Sequence, residues 1–410
     1  MSGMISVEEA LARVLASAGT PLGEERVALE EAYGRVLARD LAALRTQPPF
    51  ANSAMDGYGL RAADTLAAPA TLKVIGEAAA GRAFAGAVGP GEAVRIFTGA
   101  PLPTGADAVV VQEDVRREGD RVTLAAPVPV GDNLRPEGLD FCDGEALILA
   151  GRRLSPRDVA LAAAANHAEL PVRRHARVAI LATGDELVAP GGTLGPSQIV
   201  ASNNFTVAGI VDACGGIPID LGIARDSMEA LDAAIREALD AKVDVLVTLG
   251  GASVGDHDLV QKALVAAGME LSFWKIAMRP GKPLMHGRLG ELIVLGLPGN
   301  PTSSTVCAIL FLRPLLRALH GEFEPGADPT RPARLAVDMM ANDRPRQDYV
   351  RCALARDADG VLLATPAALQ DSSLVKVMAR ADGLVVRPPQ AAPARAGDAC
   401  RVLVLVEFGV

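Results

Sequence analysis

The rhythm of apolar and polar positions changes several times along this chain. Near the start it has the helical period. Ser6 with Glu9 three residues on forms a capping box before "ALARVLA", and "LEEAYGRVLARDL" repeats a helical pattern. The stretch "TQPPFANSAMDGYG" then breaks it with prolines and glycines. From about Ala70 to Ile148, short β-prone runs ("LKVIG", "AVRIF", "AVVVQEDV", "RVTLA") alternate with turn signals. "LSPRDVALAAAAN" returns to helix, with Ser155 as N-cap and Pro156 at the first helical position. After Arg177 the runs "RVAILAT", "PIDLGI", "VDVLVTLGG" and "LIVLGLPGN" read as buried strands, each followed by a loop and a helical pattern. That alternation predicts a mainly parallel sheet covered on both faces. From about Pro325, "RLAVDMM", "DYVRCAL", "GLVVRP" and "CRVLVLVEF" predict a further β module.

A chain of 410 residues exceeds what one core usually supports, so several domains are expected. The pattern divides it into a split helical domain (1–45 and 141–176), a β-rich insert (46–140), an α/β domain (177–324) and a C-terminal β domain (325–410). The fold class is thus multidomain α/β plus β. Half the residues are hydrophobic but only 3% are aromatic, so the interior is built from Ala, Val, Leu and Ile.

Charge narrows the function. The net charge is −9, and no Lys/Arg run forms a basic face, which argues against a general nucleic-acid binder. "VRRHAR" is the nearest approach and reads as a solvated turn before a strand. Anions must therefore be held by local dipoles and a few placed cations. The five cysteines are scattered with no C-x-x-C, and the five histidines lack ligand spacing, so neither a disulfide framework nor a zinc site is expected. The N-terminus has no apolar signal core, and "AILFLRPLLRAL" is interrupted by arginines and a proline. A reduced, soluble, cytoplasmic protein with no membrane partner is the expectation.

In open α/β sheets ligands sit beyond the carboxyl ends of the strands, so the loops there carry the chemistry. In "TLGGASVGDHD", Gly250, Gly251 and Gly255 allow close backbone approach to an anion, and Ser253 adds a hydroxyl ahead of a helix N-terminus. Asp256 and Asp258 read either as helix caps or as acids that hold Mg²⁺ against a phosphate. "ATGDEL" places Asp185 and Glu186 at another strand end. "GLPGNPTSST" surrounds Asn300 with Pro298 and Pro301 in a stiff rim that opens a helix. "FWKIAMRPGKPLMHG" reads as a loop carrying Lys275, Arg279 and Lys282, either solvated or placed for an oxyanion.

Taken together, "PPFANSAMDGYG", "IFTGAPLPTGADAVV", "RPEGLDF", "ATGDEL", "SNN", "GGASVGDHD", "RPGKP" and "GLPGNPTSS" occur in the order seen in the MoeA family. These are the molybdopterin molybdenumtransferases related to the gephyrin E domain, and the resemblance spans nearly the whole chain. It implies a MogA-like α/β domain, a C-terminal barrel-like domain and an elongated homodimer. The active cleft would lie between the α/β domain of one subunit and the β domains of its mate. The implied reaction converts adenylyl-molybdopterin and molybdate to molybdenum cofactor and AMP with Mg²⁺.

On that resemblance, Asp56, Glu186, Asp226 and Asp256 are the candidate catalytic acids, the last three also as metal ligands. Thr98, Asp140, Gly250, Gly251, Ser253, Gly255, Lys275, Arg279, Lys282, Pro298, Asn300 and Pro301 are the candidate substrate contacts. Arg351 and Ser373 join them from the more loosely matching C-terminal module. Arg279 stands where relatives often carry lysine, and Asp226 reads equally as an N-cap ahead of "SMEALDAA". A MogA-like adenylyltransferase is an implied partner. Two other readings keep the fold: molybdopterin adenylylation, and a non-catalytic gephyrin-like scaffold.

Overall fold

The apolar runs after Arg177 assemble into one six-stranded sheet, in the order Ile217–Ala224, Arg177–Thr183, Val245–Leu249, Leu292–Leu297, Pro283–Leu289, Glu270–Lys275. The computed structural model describes residues 4–251 and 259–409. The first four strands are parallel, and the next two are joined antiparallel at the edge. Every residue of Val245–Leu249 is buried, which explains why this strand shows no polar alternation. Val245, Val247 and Leu249 meet helix Asn203–Ala213 and the long helix beginning at Pro301, while Leu246 meets helices Met228–Asp240 and Leu259–Ala266 on the other face. Each such side chain contributes about 1.5–3 kcal/mol by leaving water.

The segment read as a cation-bearing loop is ordered differently from that expectation. Its two ends belong to the last two strands of the sheet, with Lys275 ending the edge strand and Lys282 immediately before its neighbour. Between them, Met278–Arg279 adds a short parallel strand to Gln347–Arg356 of the C-terminal module.

The helix Pro301–Leu319 runs 19 residues with mean hydropathy 1.3, long and apolar enough to cross a membrane, yet 78% of it is buried in this core. A π-turn over Ala308–Leu312 precedes Pro314, whose ring and missing N–H disfavour regular i→i−4 bonding there.

Ser6 caps helix Val7–Ser17 by accepting from the Glu9 amide at 3.0 Å, but the expected capping box is only half formed, because the Glu9 carboxylate accepts from Arg13 instead of the Ser6 amide. This helix buries Ala10 and Val14 in the α/β core, beside Leu315 and Leu316. The second helical pattern is not a helix. "LEEAYGRVLARDL" makes one 3₁₀ turn, Leu29–Glu31, and then an irregular run in which Val36 bridges Arg153 and Leu37 bridges Val172. Glu24–Ala28 pairs with Glu169–Arg173, and Leu41–Ala42 with Ala146–Ile148. Helix Pro156–Ala164 completes this unit, with a full capping box between Ser155 and Asp158.

The insert is a six-stranded sheet in the order Ala108–Val111, Gly57–Leu60, Glu92–Ile96, Ala70–Ala78, Arg121–Leu124, Val115–Glu118. The C-terminal strands close into a five-stranded barrel, because Gln347–Arg356 pairs with both Leu362–Pro366 and Gly383–Arg387.

Candidate functional site

A cavity of about 780 Å³ opens at the carboxyl ends of the parallel strands. Its walls are the loops that follow them: Gly184 and Glu186, Asp226, Gly250 and Gly251, and Pro298 to Pro301. Asn203 and Asn204 add the start of a helix, and Ser373 and Val375 reach in from the C-terminal module of the same chain. Such strand-end crevices are where α/β sheets hold ligands.

The double glycine has a steric cause. Gly250 has φ +101°, and a Cβ there would lie 2.8 Å from the Thr183 carbonyl oxygen. Gly251 has φ +61°, and a Cβ would lie 2.1 Å from Val260 Cγ2. The turn therefore passes close between the neighbouring strand end and the following helix, which keeps its backbone at the cavity wall.

Carboxylates set the field of this rim. Burial pushes the Asp226 carboxyl above its ordinary value, and the charges of Asp185 and Glu186 push it further. The Asp226 amide donates to Asp185 Oδ1 at 3.3 Å, drawing the two loops together. Asp226 is not the helix cap. Ser227 takes that role, accepting from the Ala230 amide at 3.2 Å, so the Asp226 carboxylate is left for the cavity.

The C-terminal module is latched to the rim. Asn300 Nδ2 donates to Ser372 Oγ at 3.0 Å, and the Thr302 amide donates to the Ser372 carbonyl at 3.0 Å. Arg351 is 1% exposed, and its guanidinium donates to Gln370 Oε1, Thr302 Oγ1 and the Asp371 carbonyl. It is buried behind the wall and does not line the cavity. Ser373 donates its hydroxyl to Asp371 Oδ1 at 2.6 Å and does line it.

The three cations stand apart from the cavity lining. Arg279 is ion-paired with Asp348, which is itself buried. Lys275 holds its Nζ 4.3 Å from the Trp274 ring centroid, and Lys282 is exposed. Their strands do approach the site, since Lys275 pairs with Pro283, a cavity residue.

Asp56, Thr98 and Asp140 also lie away from this wall, in and beside the insert. Asp56 accepts from the Thr98 amide at 2.8 Å and from its hydroxyl at 2.7 Å. These bonds, with the nearby Arg95 charge, hold the Asp56 carboxyl below its ordinary value. Asp140 is exposed, and its amide donates to the Gln47 carbonyl at 3.0 Å. Ser253, Gly255, Asp256 and Asp258 lie outside the described residues.

Sequence reasoning missed several wall residues. Asn203 donates to the Gly299 carbonyl at 2.7 Å and so joins the "SNN" and "GLPGN" motifs. Ile199 and Val200 form a short parallel pairing with Leu187 and Val188 beside Glu186. The only signal for Asn203 was the motif itself. The pairing of two-residue strands has no periodic signature.

Comparison with known proteins gives a consistent picture. Residues 5–166 match the MoeA N-terminal region (domain I and II), residues 179–318 a probable molybdopterin binding domain, and residues 332–405 the MoeA C-terminal region (domain IV). The chain is 35% identical over 417 residues to a molybdopterin molybdenumtransferase of Bacillus subtilis, covering 98% of this chain and 94% of that protein. It is 36% identical over 388 residues to molybdopterin molybdenumtransferase 2 of Mycobacterium tuberculosis, covering 92% and 94%. The crystal structure of a molybdopterin biosynthesis MoeA protein from Pyrococcus horikosii superposes with a TM-score of 0.84 at 35% identity, covering 98% of this chain and 99% of that one.

Proposed function

The chain belongs to the MoeA family, and from that membership we propose that it acts in molybdenum cofactor biosynthesis as a molybdopterin molybdenumtransferase. In this reading, adenylyl-molybdopterin and molybdate are converted to molybdenum cofactor and AMP. The observation that carries it is the strand-end cavity, whose lining includes the Gly250–Gly251 turn together with Glu186 and Asp226.

The donor chemistry of the rim fits Mg²⁺. The cavity is lined by carboxylate, amide, hydroxyl and carbonyl oxygens, with no cysteine or histidine among its described residues. The like charges that raise Asp226 would be relieved by a cation. Among the described residues no three acids converge into a closed metal cage. Magnesium is typically held by one or two carboxylates together with substrate phosphates. Glu186 and Asp226 would hold the ion, and when bound it supplies neutralisation of the charge that develops on the pyrophosphate.

The protein's own groups do the positioning. The Gly251 amide of the glycine turn and the Gly299 and Asn300 amides of the rim donate to phosphate oxygens. Asn203 fixes the Gly299 carbonyl and so the shape of that rim. Asp56, Thr98 and Asp140 act on the cavity of a second copy in a homodimer, which accounts for functional acids lying away from this chain's own cavity. Molybdate is held where Lys275 and Lys282 flank the last two strands of the sheet.

The test is direct. Purified protein incubated with adenylyl-molybdopterin, molybdate and Mg²⁺ releases AMP and forms cofactor that activates an apo-molybdoenzyme. Absence of AMP, under conditions in which another family member releases it, contradicts the reading.

A further inference from the structure

We propose that Arg95 is a positioning residue that holds the Asp56 loop at the end of the insert sheet in its working geometry. The inference rests on the reading above that Asp56 acts on the substrate.

The antiparallel ladder between Gly57–Leu60 and Glu92–Ile96 ends at Gly57, paired with Ile96. Asp56 is the first residue beyond it, where a single backbone bond, from the Gln112 N–H to the Asp56 carbonyl, still holds the chain. Glycine is required at 57, because a Cβ there would lie 1.9 Å from the Val110 carbonyl oxygen. The chain thus enters the Asp56 loop through a residue with no side chain to anchor it.

Arg95 supplies the anchor from the neighbouring strand. It stands opposite Tyr58 in the ladder, and its guanidinium carbon lies 5.1 Å from the Tyr58 ring centroid and 4.8 Å from that of Phe97. Flanked by two rings, the planar group has little freedom to swing. Nη1 donates to the Gly57 carbonyl at 3.2 Å, and Nη2 donates to Gln112 Oε1. The Gln112 backbone N–H donates to the Asp56 carbonyl at 3.1 Å. One guanidinium therefore holds the Gly57 carbonyl directly and grips the side chain of Gln112, the residue whose backbone holds the Asp56 carbonyl.

The same group touches the other half of the pair. Phe97 immediately precedes Thr98, whose amide and hydroxyl hold the Asp56 carboxylate. Moving Arg95 would loosen the acid and its donor together. Its charge also favours the ionised form of Asp56, in the same direction as the Thr98 bonds.

Steady-state AMP release by Arg95→Met, Arg95→Lys, Asp56→Asn and the Arg95→Met/Asp56→Asn double variant, with thermal unfolding of each, tests the proposal. The expected result is a kcat lowered on the order of tenfold or more in Arg95→Met, since small misplacements of an acting group are costly. The KM for adenylyl-molybdopterin stays within about twofold of wild type, because bound substrate reads other contacts. Arg95→Lys restores part of the loss, keeping the charge but not the flat fork. The double variant is no slower than Asp56→Asn alone, and carboxyl NMR shows Asp56 titrating higher in Arg95→Met. Two results overturn the proposal alone: Asp56→Asn slow but Arg95→Met at wild-type kcat, or the two losses multiplying in the double variant. Asp56→Asn at the wild-type rate overturns the underlying reading instead.

Discussion

Asn300 Nδ2 and Ser372 Oγ meet at 3.0 Å, and that bond joins two modules that the chain order keeps 72 residues apart. One partner stands on the cavity rim and the other on the loop bearing Ser373, so the wall of the cavity depends on the docking of the barrel. Arg351, buried beneath the same loop, adds a further tie through Thr302 Oγ1. Arg351→Ala leaves Thr302 Oγ1 and the Asp371 carbonyl without the guanidinium donor, while Gln370 Oε1 keeps the 3.0 Å bond from the backbone N–H of that position. We expect a loss of about 2–4 kcal/mol and a raised KM, read by calorimetry and AMP release. An unchanged Tm would show that the latch carries no load.

Asp226 should trade stability for function. Its folded-state pKa is raised above 3.8, so the folded chain holds the proton more tightly, and ionisation costs stability as pH rises through that window. Asp226→Asn removes the repulsion from Asp185 and Glu186. At neutral pH it raises Tm by on the order of 1 °C while abolishing AMP release. A lowered Tm would mean that Asp226 is a structural cap after all.

The junction between the split domain and the α/β core should respond to acid. His320 is buried, Nε2 accepts from the Ala176 amide at 3.1 Å, and burial, aided by Arg153, depresses its pKa from 6.5 to about 4. Between those values the unfolded chain binds a proton that the folded chain refuses. Stability is therefore complete above pH 6.5 and falls as pH drops toward 4. His320→Gln keeps an acceptor and should remove on the order of 2 kcal/mol of the stability difference between pH 7 and pH 5. His286, also depressed by burial, leaves a residual slope. Denaturant titrations at the two pH values measure it, and identical slopes in variant and wild type would exclude His320 as the source.

How much of this was legible beforehand depended on whether the cause was local. Ser155 and Pro156 announce their helix because capping is decided within one turn. Arg177–Thr183, Val245–Leu249 and Leu292–Leu297 announce themselves because burial on both faces removes polar alternation, whereas "PIDLGI", also read as a buried strand, lies in the edge strand Ile217–Ala224, where only Ala224 is buried. The run from Leu29 to Leu41 misled, since Ala32, Val36, Leu37 and Leu41 have helical spacing and are all buried, but distant bridges and the positive φ of Gly34 decide their backbone. Arg279 misled for the same reason, because its partner Asp348 comes 69 residues later. Asp226 and Ser227 are adjacent and both suit a cap, so spacing alone could not choose between them.

If Asp56 serves the cavity of a second copy, two damaged chains can repair each other. Asp56→Asn and Glu186→Gln, each inactive alone, should form mixed dimers with one intact site when co-refolded. Random pairing predicts recovery of about a quarter of wild-type activity. Activity that stays at the level of the single variants would place both residues in one chain's site.

The central claim is that the strand-end cavity bearing Glu186 is where the chemistry happens. The most direct test is AMP release by Glu186→Gln under saturating adenylyl-molybdopterin, alongside equilibrium binding of that substrate. We predict a rate at least ~100-fold lower with binding retained. A Glu186→Gln protein that releases AMP at the wild-type rate would contradict the account.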